Sequence, residues 1–220
     1  YYESRLAKIK MKESKIPIID EKVDEIFDDT YDDIEKNEKS KTKWSQLEAL
    51  VGAEPRIKQV VIDLINHFET RQKTQPGKAL IVAMSREIAA RLYNAIIELR
   101  PEWHDENYLK GQIKVVMTAS ASDSKELQPH HTNKEQKKDL EKRFKDPNDS
   151  LQIVIVRDMW LTGFDAPCLT TMYVDKPMNG ANLAQAIARV NRVFKDKPGG
   201  LIVDYIGIAT QLKEALATYS

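Results

Sequence analysis

The sequence predicts an α/β fold in which a parallel sheet is flanked by helices and preceded by a helical N-terminal extension. From Ala79 onward, short apolar runs alternate with amphipathic stretches, which is the pattern of successive βα units. The apolar runs are rich in Val, Ile and Leu, as expected for strands that are buried on both faces. Residues 20–38, in contrast, are dense in acidic charge, which indicates a segment outside the sheet.

The apolar runs predict five strands, which cover residues 79–84, 113–118, 151–156, 169–174 and 200–206. Helices are expected between them. Ser85 is a predicted N-cap, and the helix that follows it should stop at Pro101. Further along the chain, Thr132 and Glu135 have the spacing of a capping box.

The first part of the chain is expected to be mostly helical. An amphipathic helix is predicted over 56–71, with Pro55 near its first turn. The acidic stretch 20–38 has few apolar residues, so we expect a solvated helix or a linker that is more mobile than the sheet. Residues 1–75 are therefore predicted to form a linker or extension, and residues 76–220 the sheet domain.

Composition argues against several classes of protein. Lys plus Arg and Asp plus Glu each total 34, and this formal charge of zero is not typical of a strong autonomous DNA-binding protein. Residues 1–38 carry 7 basic and 12 acidic side chains, which leaves a mildly basic remainder that suits a few phosphate contacts. The apolar runs are far shorter than the roughly 20 residues that cross a bilayer. Because no apolar signal segment precedes them, we expect a soluble, cytoplasmic protein with no membrane partner.

The segment 185–192, QAIARVNR, predicts a helix with a polar stripe. At about 100° per residue, one amide and two guanidiniums project from one face and four apolar side chains from the other. The polar set is Gln185, Arg189 and Arg192, and the apolar set is Leu183, Ile187, Val190 and Phe194. Such a stripe is typical of a solvent-facing surface. It is also consistent with a phosphate sensor, because two guanidinium forks about one turn apart can bind a γ-phosphate.

The segment 157–167, RDMWLTGFDAP, directly follows the third predicted strand. Thr162, Gly163 and Asp165 supply a hydroxyl, a residue that allows close backbone approach, and a carboxylate. The carboxyl edge of a parallel sheet is where ligands bind in open α/β folds. The same residues are also consistent with an ordinary βα turn.

Together, in this order, the two segments resemble motifs V and VI of superfamily 2 helicases and translocases. Longer runs narrow the resemblance to the motor (R) subunit of type I restriction-modification enzymes. These runs are 158–167, 173–177 (YVDKP) and 203–207 (VDYIG), with upstream matches at 1–7, 67–69, 77–79 and 85–86. The similarity covers essentially the whole chain.

The resemblance implies a RecA-like fold and a motor function. Residues 76–220 would be the second RecA-like lobe of an ATP-dependent double-stranded DNA translocase, within an ATP-dependent type I site-specific deoxyribonuclease. The implied partners are double-stranded DNA, the first RecA-like lobe and nuclease domain of the same chain, and the methyltransferase and specificity subunits. The DNA recognition sequence would belong to the specificity subunit.

The resemblance also assigns site residues. Arg189 and Arg192 match the arginines that reach across the interlobe cleft to ATP, and Gln185 stands at the polar start of the same motif. Gly163 and Asp165 match the part of motif V on the nucleotide side. Ala188 and Asn191 stand where many relatives have glycines, and Gln185 where many have histidine; this departs from a generic helicase but agrees with the restriction family.

The DNA-binding set implied by the resemblance follows the strand ends. Thr162 is the phosphate or sugar contact of motif V. Ser85 lies in the motif IV region, where its hydroxyl and a backbone N–H can hold a DNA phosphate. Arg86 and Thr118 are assigned to the same set.

Other parts of such a motor are missing from the sequence. Gly77-Lys78 does not form a phosphate loop, because Ala79 follows it and the pair precedes a strand. ATP and Mg²⁺ are therefore expected only in the complete subunit, none bound to this chain alone, and the chain alone should be inactive. No metal site is predicted, and His130 and His131 resemble ordinary loop residues. Two alternatives remain, the second lobe of another superfamily 2 helicase and a non-catalytic α/β interaction module, which flanking sequence would distinguish.

Overall fold

The computed structural model describes residues 1–5, 22–23, 38–192 and 199–218. A six-stranded sheet lies at the centre, in the order β1-β6-β5-β2-β4-β3, and each strand is parallel to its neighbours. The strands are β1 (Tyr2–Ser4), β2 (Lys78–Ala83), β3 (Ile113–Val115), β4 (Ile153–Val156), β5 (Leu169–Asp175) and β6 (Leu201–Asp204). The helices are α1 (Glu38–Val51), α2 (Glu54–Thr74), α3 (Arg86–Leu99), α4 (Lys134–Lys145), α5 (Gly180–Val190) and α6 (Ala209–Thr218), with short 3₁₀ turns at Pro101–Trp103 and Gln128–His130.

The predicted fold class is confirmed: the protein has a parallel sheet flanked by helices, with a helical N-terminal part. All five predicted strands are present, with trimmed ends. β2, β4, β5 and β6 are buried along their whole lengths, as their apolar sequences indicate. The sequence analysis did not predict β1, a three-residue strand that pairs with β6, where Tyr2 lies opposite Ile202.

Two helix caps were predicted, and one prediction was wrong. Ser85 caps α3 as expected, since its side chain accepts a hydrogen bond from the Ile88 N–H at 3.2 Å. The capping box of α4, however, is formed by Asn133 and Gln136 rather than by Thr132 and Glu135. The helix begins one residue later than predicted, and asparagine at the N-cap is favoured over threonine.

Only Lys22, Val23 and Glu38 of the acidic stretch 20–38 belong to the described residues. Val23 is buried in the core, and the Lys22 ammonium donates to Gln46 Oε1 at 2.6 Å. The expected mobility of the rest lies outside what the structure describes. No helix among the described residues has the length and apolar character needed to cross a membrane.

A buried ion pair joins α2 to the sheet. The Arg56 guanidinium forks onto Asp175 at the end of β5, with N–O distances of 2.6 and 3.1 Å. The same guanidinium donates to the carbonyl oxygens of Val51, at 3.1 Å, and Tyr205, at 3.0 Å. Neither charged side chain is more than 2% exposed. One side chain therefore fixes the start of α2 against the carboxyl ends of both β5 and β6.

A second polar network holds β1 in place. Arg5 donates to both carboxylate oxygens of Asp63 on α2, at 2.5 and 2.6 Å, and the Tyr205 hydroxyl donates to the same carboxylate at 2.7 Å. The Tyr2 hydroxyl donates to Asp204 at 2.7 Å, while the Asp204 oxygens also accept three backbone N–H groups that follow β6. Residues 1–5 and 203–207, which belong to two of the matched runs, therefore pack together as one structure.

A polar cavity of about 510 Å³ lies beside β3. The Tyr93 hydroxyl is 2.6 Å from His104 Nδ1, and the ring of His130 packs edge-on against Tyr93 with centroids 4.8 Å apart. Burial, with a smaller contribution from the Lys114 ammonium, lowers the pKa of His130 to about 4. His130 is therefore neutral in the folded protein at neutral pH.

The lowered pKa of His130 should be visible in how the free energy of unfolding depends on pH. The pKa of His130 is about 4 in the folded chain, against 6.5 for an unperturbed histidine. Between these two pH values the unfolded chain binds a proton at His130 that the folded chain does not bind. The free energy of unfolding therefore keeps its full value above pH 6.5 and falls by on the order of 3 kcal/mol as the pH falls toward 4. In His130→Gln, the free energy of unfolding should fall less over this range than in the parent. Carboxylates titrate in both proteins, so the difference between the two urea-denaturation series isolates His130; identical pH profiles would contradict the assignment.

The buried pair predicts a specific pattern of stability. Arg56→Met should lower the free energy of unfolding by about 3–5 kcal/mol, because it leaves the Asp175 carboxylate buried without a counter-charge. Arg56→Met with Asp175→Leu should recover most of that loss, since no buried charge remains. Lys58→Met is the matched control, because Lys58 pairs with Glu54 at 2.7 Å on an exposed surface, and it should have no measurable effect. Urea denaturation tests all three, and a double variant as unstable as the single one would refute the argument.

Candidate functional site

The segments that carry the predicted site residues all begin at one edge of the sheet. Ser85 and Arg86 follow β2, Thr118 follows β3, and the segment 157–167 follows β4. Because all strands run parallel, their carboxyl ends meet at the same edge. Helix α5, which carries Gln185 and Arg189, begins shortly after the carboxyl end of β5. Both chemistry-bearing segments then run back across the sheet: residues 157–167 end just before β5, and Asn191, which follows α5, accepts a hydrogen bond from the Gly200 N–H just before β6.

An aromatic stack supports the segment 157–167. The rings of Trp160 and Phe164 lie 4.5 Å apart and nearly parallel, and both stack on Phe144 of α4. Trp160 has a φ of 66°, a backbone conformation that non-glycine residues rarely adopt, and its side chain is buried. A buried Lys176, just after β5, forms an ion pair with Asp158. These contacts hold both the start and the middle of the segment.

The same stack leaves three residues facing solvent. Thr162, Gly163 and Asp165 are exposed, while Leu161 and Phe164 beside them are buried. Gly163 has a φ of 68°, and no atom lies within 4 Å of where a Cβ would stand. This backbone conformation favours glycine at position 163, and the space where a side chain would stand is open. The Thr162 hydroxyl, the Gly163 backbone and the Asp165 carboxylate are therefore exposed to solvent close together in the chain.

Helix α5 has the two faces that its sequence predicts, as far as the helix extends. Leu183 and Val190 are buried, Ile187 packs partly against the core, and Gln185 and Arg189 are half-buried on the other side. The helix ends at Val190, so the regular spacing that placed Arg192 on the polar face does not apply to it. Phe194 lies outside the described residues.

Arg192 nevertheless reaches the segment that follows β4. Its Nε lies 3.3 Å from Asp165 Oδ1, and both side chains are about half exposed, at 53% and 51%. On α5 itself, Gln185 Oε1 and Arg189 Nε are buried atoms without a hydrogen-bond partner within the described part of the chain. The site thus combines an accessible ion pair with polar atoms whose hydrogen bonding is incomplete.

Arg86 is bound to a carboxylate that the sequence analysis did not single out. Its guanidinium forks onto Asp123 with two distances of 2.8 Å and also donates to the Thr118 carbonyl oxygen at 2.9 Å. Asp123 further accepts from the Ser120 N–H at 2.9 Å, and His131 Nε2 lies 2.9 Å from it. Hydrogen bonding from Arg86, above all, lowers the pKa of Asp123. In sequence, an aspartate in a serine-rich loop is indistinguishable from an ordinary turn residue.

Several other side chains have structural roles. The Ser85 hydroxyl caps α3 and is 8% exposed. Lys78 points inward, where its ammonium donates to the Arg143 carbonyl oxygen at 2.7 Å, so the Gly77-Lys78 pair does not face a nucleotide. Trp103 and Tyr173 are buried packing groups. Within the described ranges, no group of three or more His, Cys, Asp or Glu side chains is arranged to hold a metal ion.

Comparisons with known proteins add the relationship that geometry alone does not provide. A family model described as type I restriction enzyme subunit R domain 3 matches residues 2–207. The HindI endonuclease subunit of a type I restriction enzyme from Haemophilus influenzae is 54% identical over 186 residues, which cover 83% of this chain and 18% of the relative. The MjaIXP endonuclease subunit from Methanocaldococcus jannaschii is 45% identical over 221 residues, which cover 100% of this chain and 20% of the relative.

Solved structures show weaker likeness. A fragment of an HsdR subunit from Vibrio vulnificus YJ016 covers 70% of this chain and 28% of its own, with a TM-score of 0.49 and 20% identity. Domain 2 of the DEAD-box helicase Mss116p, solved bound to an RNA duplex, covers 68% of this chain and 50% of its own, with a TM-score of 0.43 and 19% identity. TM-scores and identities this low add nothing to the relationship shown by the sequence comparisons.

The chain spans about a fifth of the length of the two curated relatives described. The family model covers nearly all of the chain, and the relatives agree with it in name. The chain therefore belongs to the R subunit family of type I restriction enzymes, in which it matches domain 3.

Proposed function

We propose that this chain is the second motor lobe of an ATP-driven double-stranded DNA translocase within a complete R subunit. It supplies motif V and motif VI residues to an ATP site between two lobes, and it forms part of the DNA track. In the assembled enzyme, the motor moves duplex DNA toward the nuclease domain of the same subunit, beside the methyltransferase and specificity subunits. Residues 76–220 form most of the lobe, and residues 1–75, which add β1 and α2 to it, lead to it from the first lobe.

The observation that carries the proposal is the contact between Arg192 and Asp165. Their atoms lie 3.3 Å apart although 26 residues separate them in sequence, and both side chains remain half exposed. A purely structural ion pair in this chain could be buried, as Arg56 and Asp175 are. An accessible guanidinium beside an accessible carboxylate suits a site that is completed by a second lobe and a charged ligand.

Gln185 and Arg189 fit the nucleotide side of the same site. Their buried atoms without partners, Gln185 Oε1 and Arg189 Nε, lie on the polar face of α5 within the described part of the chain. Polar atoms buried without partners are destabilising, so such atoms are typical of functional sites that are completed elsewhere. Arg189 and Arg192 are thus proposed to contact the γ-phosphate, where guanidiniums stabilise the charge that develops during phosphoryl transfer. ATP would arrive with Mg²⁺ held by the first lobe.

Ser85, Arg86, Thr118 and Thr162 are the proposed DNA-facing set. They follow three adjacent strands, β2, β3 and β4. Thr118 and Thr162 are exposed hydroxyl residues, whereas the Ser85 hydroxyl is occupied as a helix cap. Contacts of this kind to phosphate or sugar position a protein on duplex DNA without reading its sequence. This fits a motor that moves along DNA of any sequence.

The arginines should be needed for turnover and not for folding. In the complete subunit, Arg192→Ala or Arg189→Ala should reduce ATP hydrolysis by about 10³- to 10⁵-fold, the range for transition-state arginines. Arg192→Lys should also be poor, because an ammonium cannot reproduce the guanidinium fork. ATP turnover in the complete subunit measures these effects, and melting of the isolated chain tests folding.

A matched control for Arg192 is Arg91→Ala. Arg91 is 48% exposed, pairs with Glu126 at 3.7 Å, and lies on α3 rather than in either motif. This variant should keep near-normal turnover. Near-normal turnover in both Arg189→Ala and Arg192→Ala would mean that the polar face of α5 is only a solvated surface.

The isolated chain should have no appreciable ATPase or nuclease activity, because it supplies only the arginine side of the ATP site. Its DNA affinity should be weak, since contacts to a few phosphates release few counterions, and it should fall as salt is added, because those contacts are electrostatic. Rigorously purified chain, assayed for ATP turnover and titrated with duplex DNA at several salt concentrations, tests both points. Steady turnover, or tight binding that does not respond to salt, would be inconsistent with the proposed role.

A further inference from the structure

The Arg86 guanidinium, assigned above to the DNA-facing set, is already engaged by protein groups. Its two terminal nitrogens donate to both oxygens of Asp123, and one of them donates to the Thr118 carbonyl oxygen as well. The Asp123 side chain is 3% exposed and the Arg86 side chain 24%. The fork that would otherwise hold a phosphate is therefore turned toward a buried carboxylate.

We propose that Asp123 is a positioning residue for DNA binding, which clamps Arg86, Ser120 and His131 so that the exposed stretch 118–122 keeps its shape. The inference rests on the proposed DNA-facing role of this edge, which it deepens. Arg86 then acts mainly through the clamp and through the backbone of Thr118, and the hydroxyls of the stretch face the DNA.

The geometry of the clamp supports this role. Asp123 bonds to the start of α3 through Arg86, to its own loop through the Ser120 N–H, and to the far end of the loop through His131. Three groups thus make four polar contacts with one carboxylate, which holds both ends of a loop between β3 and the turn at Gln128–His130. Thr118, Ser120 and Ser122 remain exposed on the outer side. Without the clamp, a loop of small polar residues has little packing to define its conformation.

The role of Asp123 can be tested by whether removal of its charge strengthens or weakens DNA binding. A carboxylate near a DNA phosphate repels it, so removing the charge of Asp123 should strengthen DNA binding if the residue does nothing else. If Asp123 positions the loop and Arg86, the same removal should weaken binding. The two roles therefore predict opposite directions for one substitution.

The experiment measures the affinity of the complete R subunit for duplex DNA of arbitrary sequence by fluorescence anisotropy over a salt series. Asp123→Ala should weaken binding by about five- to tenfold, the equivalent of roughly one lost hydrogen bond of ordinary strength. Arg86→Lys should weaken it similarly, although the charge is kept, because an ammonium cannot form the fork. Asp123→Ala combined with Arg86→Ala should be no weaker than either alone, since both remove the same clamp.

The matched control is Glu126→Ala. Glu126 belongs to the same loop and carries the same charge, but it pairs loosely with Arg91 at 3.7 Å and does not touch the clamp. Its removal should leave binding unchanged or slightly tighter. If Asp123→Ala lowers the thermal midpoint substantially, Asp123→Asn replaces it, because the amide keeps the shape and one acceptor while the charge and the second acceptor are lost.

Thr162→Ala distinguishes a failure of the proposed clamp role of Asp123 from a failure of the proposed DNA-facing role of the edge. If it weakens binding and Asp123→Ala does not, or makes binding tighter, the clamp role is overturned and the DNA-facing edge stands. If neither substitution changes binding, the DNA-facing edge itself is overturned, and the clamp role with it. Weaker binding in Asp123→Ala, beside unchanged binding in Glu126→Ala, supports the inference.

Discussion

The fork between Arg56 and Asp175 is the contact on which the geometry of the site depends. Asp175 is the last residue of β5, and Arg56 joins it to the start of α2 and to the carbonyl oxygen of Tyr205 beyond β6. The next residue, Lys176, pairs with Asp158 at the start of the segment 157–167. A buried pair at one strand end is thus connected through a single peptide to the loop that carries Gly163. Because an unpaired charge in this position would be strongly destabilising, the pair restricts how the strand ends can be arranged.

Burial separates the structural carboxylates of this chain from a candidate functional one. Asp123, Asp175 and Asp204 all follow or end strands, and each accepts several hydrogen bonds while it is almost completely buried. Asp165 differs, since it is half exposed and its single described ion pair is with an equally exposed arginine. Saturated carboxylates define the positions of loops, whereas an accessible one can change partners. The chain therefore has saturated carboxylates beyond the carboxyl ends of its strands and, where the segment 157–167 approaches the start of β5, one accessible ion pair.

Much of this arrangement could be predicted from the sequence because it follows from hydrophobic burial. The five internal strands are continuous apolar runs, and Ser85 follows one of them as a cap should. β1 could not be found in this way, because Tyr2–Ser4 has no apolar run and is a strand only by pairing with β6, about 200 residues away in sequence. Asp123 was missed for a related reason: its role depends on partners that are 37 and 8 residues away, and a loop aspartate carries no periodic signal. Local sequence patterns thus predict helices and strands, but they do not predict pairing or polar contacts between residues that are distant in sequence.

The end of α5 shows how a wrong assumption about local structure can still lead to an informative contact. Helical spacing placed Arg192 on the polar face, but the helix ends at Val190, so no helical backbone orients this side chain. Within the described residues, its position is set by Asp165 instead. An ion pair between two half-exposed side chains contributes roughly 0–1 kcal/mol, so little free energy is needed to release it. If Arg192 has the proposed role, Asp165 holds the guanidinium close to the ATP site without binding it tightly, and a phosphate, which carries more charge and accepts the same fork, can displace the carboxylate. A weak, exposed pair is therefore better suited to this exchange than a buried one such as Arg56 and Asp175.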